Sequence, residues 1–131
     1  MDEFQPPQAG LRYTPDDLWL RRDGAHVVIG VTDRVSRILT LVNAVELPAA
    51  HQHLDESQDL ATIESQKTDI TVSAPCPLEV VDVNEELASD PMRVRMDPYD
   101  GGWLVRAELP AGAWEQLLDE EGYRDLVAHR S

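Results

Sequence analysis

Lys67 has the clearest chemical potential in the sequence. It is the only lysine, and every other basic residue apart from histidine is an arginine. A lysine amine can be acylated, whereas an arginine guanidinium stays protonated. An enzyme that modifies amines therefore meets a single side-chain target here. Residues 64–69 around the lysine are polar and contain no glycine, so nothing apolar draws the amine inward.

Two strand-like stretches flank this lysine. Residues 60–63 are apolar apart from Thr62, and after the lysine Thr71 and Ser73 alternate with Ile70, Val72 and Ala74. Alternation with a period of two is typical of a half-buried strand. We predict a hairpin with Lys67 at its crest. A mobile side chain on a rigid base is the arrangement that a covalent attachment site needs.

The other residues with metal-binding or redox chemistry give weaker signals. His51 and His53 are two residues apart, but no further histidine or cysteine is near them in sequence, and we predict no metal site. Cys76 is the sole cysteine, which excludes an internal disulfide and is compatible with a reducing compartment. Its position between two prolines favours an unreactive cysteine in a turn.

Composition excludes two classes of partner. The 131 residues include 11 lysines and arginines against 25 acidic residues, a formal net charge of -14, which disfavours binding to nucleic acid. No apolar run is long enough to span a membrane, and residues 1–7 do not resemble a signal peptide, so we expect a cytoplasmic protein. The acidity suits either docking onto basic partner surfaces or general solubility.

The remaining pattern predicts a domain dominated by short strands. Asp23-Gly24 indicates a hairpin turn between the first two of the strands expected at residues 18–22, 26–31, 40–47, 78–83 and 102–109. Thr32 is placed to cap a short helix over residues 33–39, whose apolar face comprises Val35, Ile38 and Leu39. One or two small helices are expected within residues 110–130. Many short strands with few helices favour a mainly β sandwich or flattened barrel.

The sequence resembles the H-protein family of the glycine cleavage system, within the wider group of lipoyl domains. The residues that carry the resemblance are Tyr13-Thr14 with Trp19, Gly30-Val31-Thr32-Asp33, Val45-Glu46-Leu47-Pro48, Glu64-Ser65 with Lys67, Ala74-Pro75, residues 79–87, Asp97-Pro98-Tyr99 and Gly102-Trp103-Leu104. The resemblance implies a barrel-sandwich hybrid fold with short additional helices, including one at the C-terminus. Pro6, Pro7 and Gly10 indicate a flexible lead at residues 1–10, and the resemblance implies a single H-protein-like lipoyl domain at residues 11–131.

By this resemblance, Lys67 is the lysine that carries covalent lipoate, and Glu64 and Ser65 are recognised by the lipoylating enzyme. The protein would then be a carrier with a swinging arm rather than an enzyme. The implied partners are a lipoate ligase or lipoyl transferase, dihydrolipoyl dehydrogenase, and either the glycine cleavage enzymes or a heterodisulfide-reductase-like complex of sulfur oxidation. A monomer without membrane or nucleic-acid partners is expected.

The sequence also departs from the family pattern. Asp17-Leu18 stands where the family has His-Glu, and Thr71 stands where the family has an acidic residue four positions after the lysine. By alignment these positions line the resting groove of the arm, for which the candidates here are Asp16, Leu18 and Thr71. In addition, Thr40-Leu41 replaces a Gly-Asp pair, and Pro77-Leu78 replaces a Ser-Gly pair.

Three functions remain open at this stage. Neutral side chains at Leu18 and Thr71 favour a lipoate-binding protein of sulfur oxidation, because a carboxylate would repel an anionic sulfur adduct. The alternative is a divergent glycine cleavage H-protein that carries the cationic aminomethyl group. A third possibility is an unmodified H-like scaffold. We prefer the sulfur carrier on the strength of these substitutions.

Overall fold

The structure is a computed structural model that describes residues 9–130. The predicted flexible lead at residues 1–10 lies almost entirely outside the described residues. Within the described range the strands are β1 (Arg12–Tyr13), β2 (Leu18–Asp23), β3 (His26–Val31), β4 (Val42–Glu46), β5 (His53–Leu54), β6 (Asp59–Ser65), β7 (Asp69–Ser73), β8 (Leu78–Val83) and β9 (Val105–Glu108). The helices are α1 (Asp33–Ile38), α2 (Glu86–Ser89), α3 (Arg93–Met96), a 3-10 helix (Trp114–Gln116) and α4 (Glu120–Arg130).

The strands form two antiparallel sheets. The larger sheet has the order β1-β2-β3-β9-β8-β5, and the smaller one has the order β4-β6-β7. The main core draws fully buried residues from both sheets, among them Leu20 and Ile29 from the larger sheet and Ile63 from the smaller. The two sheets therefore pack face to face, which confirms the predicted mainly β fold with short helices and a C-terminal helix.

The first hairpin confirms the prediction, although its turn lies one residue later than expected. Asp23 pairs with His26, so the two loop residues are Gly24 and Ala25. Gly24 has a φ of 63°, a left-handed conformation that glycine adopts without steric cost, while Asp23 remains in the strand. The turn needs positive φ only at its first central residue, which explains the shift.

A second, aromatic cluster lies on the other face of the larger sheet, under α4. The rings of Tyr13 and Tyr123 stack with centroids 4.6 Å apart, and Val127 of α4 joins them. Trp19 packs over Gly30 on the neighbouring strand, where an added Cβ would lie 2.6 Å from the indole. Glycine at position 30 therefore makes room for the tryptophan.

Helix α1 begins after Thr32 as predicted, but for a different reason. The buried Thr32 side chain makes no capping hydrogen bond to the helix, and its hydroxyl lies 3.0 Å from the Tyr123 hydroxyl instead. The predicted apolar face is also only partly correct. Val35 and Leu39 are buried, whereas Ile38 is 62% exposed.

The C-terminal region confirms the expected small helices. The backbone of Tyr13 exchanges two hydrogen bonds with that of Leu118, at 2.8 and 2.9 Å, so the segment before α4 extends the edge of the larger sheet. Helix α4 then covers the aromatic cluster through Tyr123 and Val127. None of the helices within residues 9–130 has the length and apolar character that crossing a membrane requires.

Candidate functional site

The predicted hairpin is formed by β6 and β7, and Lys67 lies at its crest. Glu64 pairs with Asp69 at the ends of the two strands, and residues 65–68 make the turn between them. Lys67 is exposed, and within residues 9–130 no carboxylate forms an ion pair with it. The amine is therefore accessible to an incoming enzyme, as the sequence predicts.

Ser65 holds this turn closed. Its backbone amide donates to the Thr68 carbonyl at 3.1 Å, and its hydroxyl donates to the same carbonyl at 2.6 Å. The side chain is 8% exposed, because the last residue of β6 points toward the interior. Ser65 therefore positions the crest, and its predicted recognition by the lipoylating enzyme stays a prediction.

A second contact braces the crest from the side. The amide of Gln66 donates to the carbonyl of Leu41 at 2.9 Å, which ties the turn to the segment between α1 and β4. The sequence does not signal this contact, since a backbone hydrogen bond leaves no mark on residue type. Together the Ser65 and Leu41 contacts hold the backbone beside Lys67, while the lysine side chain is exposed.

Carboxylates surround the crest on the outer face of the smaller sheet. Strand pairing places Glu64 beside Asp69, with Glu46 on the adjacent strand β4. A hydrogen bond to Glu46 and the negative charge of Glu46 and Asp69 raise the pKa of Glu64. This face is electrostatically suited to attract a cation. Asp69 and Thr71 are two residues apart on one strand and therefore share this outer face.

The three residues predicted to line the arm's groove are not brought together. Leu18 is fully buried in the main core, because it begins β2 with its side chain inward, so it does not line an open groove. Thr71 is exposed, and its hydroxyl lies 3.0 Å from that of Thr62. Asp16 is exposed elsewhere, beside a cavity of about 340 Å³ that Glu56 and Cys76 also line.

The neighbouring Asp17 has a structural role that the sequence does not reveal. The Tyr123 hydroxyl donates to its carboxylate at 2.6 Å, Arg130 donates to both oxygens at 3.1 and 3.2 Å, and Arg34 lies 3.5 Å away. Burial, together with the Asp17 hydrogen bond, raises the pKa of Tyr123, which keeps the phenol protonated. Asp17 has a φ of 67°, and these partners hold that strained turn.

Cys76 and Leu78 are also structural residues rather than exposed functional groups. Burial and the nearby Glu56 raise the pKa of the Cys76 thiol, so the nucleophilic thiolate is disfavoured. Leu78 stands where the family resemblance places a surface glycine, but it is 2% exposed and belongs to the main core. The leucine of the Pro77-Leu78 replacement therefore adds to the core, while Pro77 is exposed.

Fold and site together define a small β domain whose single lysine is exposed at a hairpin crest. The family described as Glycine cleavage H-protein matches residues 11–130, and the chain belongs to this family. A glycine cleavage system H protein of Nitratidesulfovibrio vulgaris (strain DP4) is 38% identical over 92% of this chain and 94% of that protein. A probable glycine cleavage system H protein of Aeropyrum pernix is 37% identical over 92% of this chain and 85% of its own length.

Solved structures give the same result. The crystal structure of a glycine cleavage system H protein from Mycobacterium marinum matches with a TM-score of 0.76 and 26% identity, and covers 92% of this chain and 95% of that one. The family resemblance is thus confirmed. The preference for the sulfur-oxidation branch gains no support from these matches, which favour the glycine cleavage alternative.

Proposed function

We propose that this protein is a lipoate carrier of glycine cleavage, with the cofactor attached to Lys67 and the reactions carried out by partner enzymes. The observation that carries the proposal is the lone lysine, exposed at a braced hairpin crest in a chain of this family. Lipoate, when bound, supplies a dithiolane that accepts and releases groups by thiol–disulfide chemistry. The protein supplies attachment, orientation and docking.

The residues at the crest fit a covalent lipoyl group. Amide formation at Lys67 removes one positive charge, and no ion pair within the described residues is broken by that loss. The braced turn keeps the attachment point fixed relative to the surface that a partner contacts. A short flexible tether then maintains an effective concentration of about millimolar at a docked enzyme.

The outer face of the smaller sheet supports a cationic load. Glu46, Glu64 and Asp69 lie together beside the crest and supply the negative charge that a positively charged amine favours. Asp17, in contrast, is already bound by Tyr123, Arg34 and Arg130 and has little capacity for another cation. Any charge stabilisation of the load therefore falls to the strand carboxylates.

A sulfur carrier remains the second candidate because of one specific observation. Leu18 is buried and Thr71 is neutral, so neither position supplies the carboxylate that the resemblance associates with an amine load. The heterodisulfide-reductase-like complex would then replace the glycine cleavage enzymes as partner. In both cases we propose a cytoplasmic monomer, loaded by a ligase or transferase and reoxidised by dihydrolipoyl dehydrogenase.

The test compares the two loads on the same lipoylated protein. Holo-protein purified from its host is incubated with glycine and glycine decarboxylase, and release of carbon dioxide is measured. We expect release that depends on the holo-protein and is absent with Lys67→Arg. If glycine gives no carbon dioxide, while a persulfide donor adds sulfur to the modified Lys67 peptide, the sulfur candidate replaces the proposal.

A further inference from the structure

The exposed apolar surface of the described chain is concentrated in one place. Between residues 9 and 130 the large hydrophobic side chains that stand exposed are Ile38, Leu41 and Met96, at 62%, 52% and 69%. Single exposed hydrophobic residues are ordinary, whereas a group of them marks a contact surface. These three residues are called the crest patch below.

Hydrogen bonds join the two segments that carry the members of the patch. Arg95, adjacent to Met96 in α3, donates from Nε to the carbonyl of Leu39 at 2.9 Å. The amide of Val42 donates to the sulfur of Met92 at 3.2 Å. Residues 38–42 are thus fastened to α3 along one side, which brings Ile38 and Leu41 next to the end of that helix.

The other side of the same segment faces the lysine. The carbonyl of Leu41 accepts the hydrogen bond of Gln66, the residue directly before Lys67. The Leu41 end of the crest patch therefore adjoins the attachment turn. Leu41 also stands where the family resemblance expects an aspartate, so this chain presents an apolar group where a charge is the family pattern.

One cation beside the patch, Arg95, has no carboxylate partner among the described residues, although Asp33 and Asp97 line the same cavity. Arg95 is exposed, and within the described residues its guanidinium contacts the Leu39 carbonyl and the Met96 sulfur but forms no ion pair with a carboxylate. The formal net charge of the protein is -14. A cation without a carboxylate partner beside an apolar patch complements a partner surface that combines an apolar side chain with a carboxylate.

We propose that the crest patch is the docking surface of the enzyme that forms the amide bond at Lys67, an inference that rests on the proposed function. That enzyme must bring its active site to Nζ itself, so its footprint covers the residues adjoining the turn. Enzymes that use the finished arm are reached by the arm and need not cover them. The partner therefore offers an apolar side chain to Leu41 and a carboxylate to Arg95.

The reaction at the docked lysine is a simple acyl transfer. The ammonium of Lys67 releases one proton to solvent, and the neutral amine attacks the carbonyl carbon of an activated lipoyl group, a mixed anhydride or thioester. A carbon–nitrogen bond forms, the bond to the activating group breaks, and that group departs with the second proton. Docking accelerates this step by orientation, without a new catalytic residue on this chain.

The experiment measures how quickly Lys67 is modified by the host's own attaching enzyme. Tagged wild-type protein and variants are expressed in the host, and the lipoylated fraction of the Lys67 peptide is followed by mass spectrometry after a pulse of expression. We expect Leu41→Asp to lower the initial rate by roughly fivefold to tenfold, as loss of a central interface contact does. Leu41→Met, which keeps the apolar contact, should retain the wild-type rate.

A matched variant controls for added charge. Ala111→Asp introduces the same carboxylate at an exposed loop position outside the crest patch and should leave the rate unchanged. Arg95→Glu should slow modification by about threefold or more, whereas Arg124→Glu on α4 should not. Thermal unfolding of each variant establishes that it is folded before rates are compared.

The outcomes separate this inference from the proposed function. If wild-type Lys67 is never lipoylated, the carrier function itself fails. If wild-type protein is lipoylated and folded Leu41→Asp is modified at the same rate, the carrier function stands and the docking surface is overturned. Slow modification of Leu41→Asp with a normal rate for Ala111→Asp supports the crest patch.

Discussion

Two turns of this molecule use their side chains in opposite ways. At the crest of the β6–β7 hairpin, hydrogen bonds engage the backbone and the Ser65 hydroxyl, while the Lys67 side chain remains exposed. At the turn before β2, the side chain of Asp17 is itself engaged by Tyr123, Arg34 and Arg130. The crest turn leaves its lysine side chain exposed, whereas the turn before β2 uses its aspartate side chain in structural contacts.

The difference shows that the two parts of the family pattern have different structural surroundings. The crest keeps the lysine with Glu64 and Ser65, and the fold fixes its base. The turn before β2 has lost the family's His-Glu pair, and the structure turns Leu18 into core and Asp17 into an anchor for α4. The motif residue at Lys67 thus keeps an exposed side chain, whereas the residues at positions 17 and 18 are taken up by structural contacts.

The Asp17 anchor gives the largest expected change in stability. Asp17→Ala removes the acceptor of Tyr123 and two arginine contacts, and its carboxylate is only 19% exposed. We expect the free energy of unfolding to fall by about 2–3 kcal/mol, because the Tyr123 hydroxyl and two arginines lose a shared, largely buried charged acceptor. Urea denaturation measures this loss.

The adjacent residue provides the control. Asp16 is exposed, and its side chain is not part of the anchor. Asp16→Ala should change stability by less than about 0.5 kcal/mol, as is usual for the surface. If the two substitutions lowered the free energy of unfolding equally, the Asp17 side chain would not have the anchoring role described here. Neither variant should change lipoylation of Lys67 once the protein is folded.

The Ser65 hydroxyl tests the other turn. Ser65→Ala removes the bond to the Thr68 carbonyl but keeps the backbone bond between the same residues. The expected loss is about 1 kcal/mol, the usual net value of one hydrogen bond. Hydrogen exchange should show the loss as faster exchange of the Ser65-position amide, with protection in β2 and β3 unchanged. Unaltered exchange at the crest would show that the Ser65 hydroxyl does not position the turn.

The smallest effect concerns pH. Glu79, followed by Asp55, hydrogen-bonds to His53 and raises the pKa of this exposed histidine. Because the pKa of His53 is higher in the folded protein, its contacts with Glu79 and Asp55 stabilise the fold fully below the unfolded pKa of about 6.5. This stabilisation is lost as pH rises through the folded pKa. NMR titration of Glu79→Gln should give a lower His53 midpoint than wild type. An unchanged midpoint would show that Glu79 is not the cause.

The sequence predicts the crest well because local information determines it. Alternating residues on both sides of Lys67 define two strands, and the absence of apolar residues between them exposes the lysine. The sequence does not predict where the groove candidates Asp16, Leu18 and Thr71 lie relative to one another, because the face on which each side chain lies depends on tertiary packing. Leu18 begins a strand whose inward side is known only once the sheets are packed.

Long-range side-chain contacts are the other features that the sequence does not predict. Asp17 and Tyr123 are 106 residues apart, and nothing in residue type pairs them. Thr32 is a second example. Its residue type and position predict a helix cap, but its hydroxyl lies beside that of Tyr123. Such contacts leave the secondary structure unchanged, so a correct prediction of the elements did not reveal them.

The most direct test of the central claim is intact and peptide mass spectrometry of the protein purified from its own host. The account predicts one lipoyl increment, located on Lys67 and absent from Lys67→Arg, with thermal stability of the two proteins equal. The substitution keeps the charge and leaves the Ser65 and Gln66 contacts in place. An unmodified Lys67 in metabolising cells would contradict the carrier function and favour an H-like scaffold in its place.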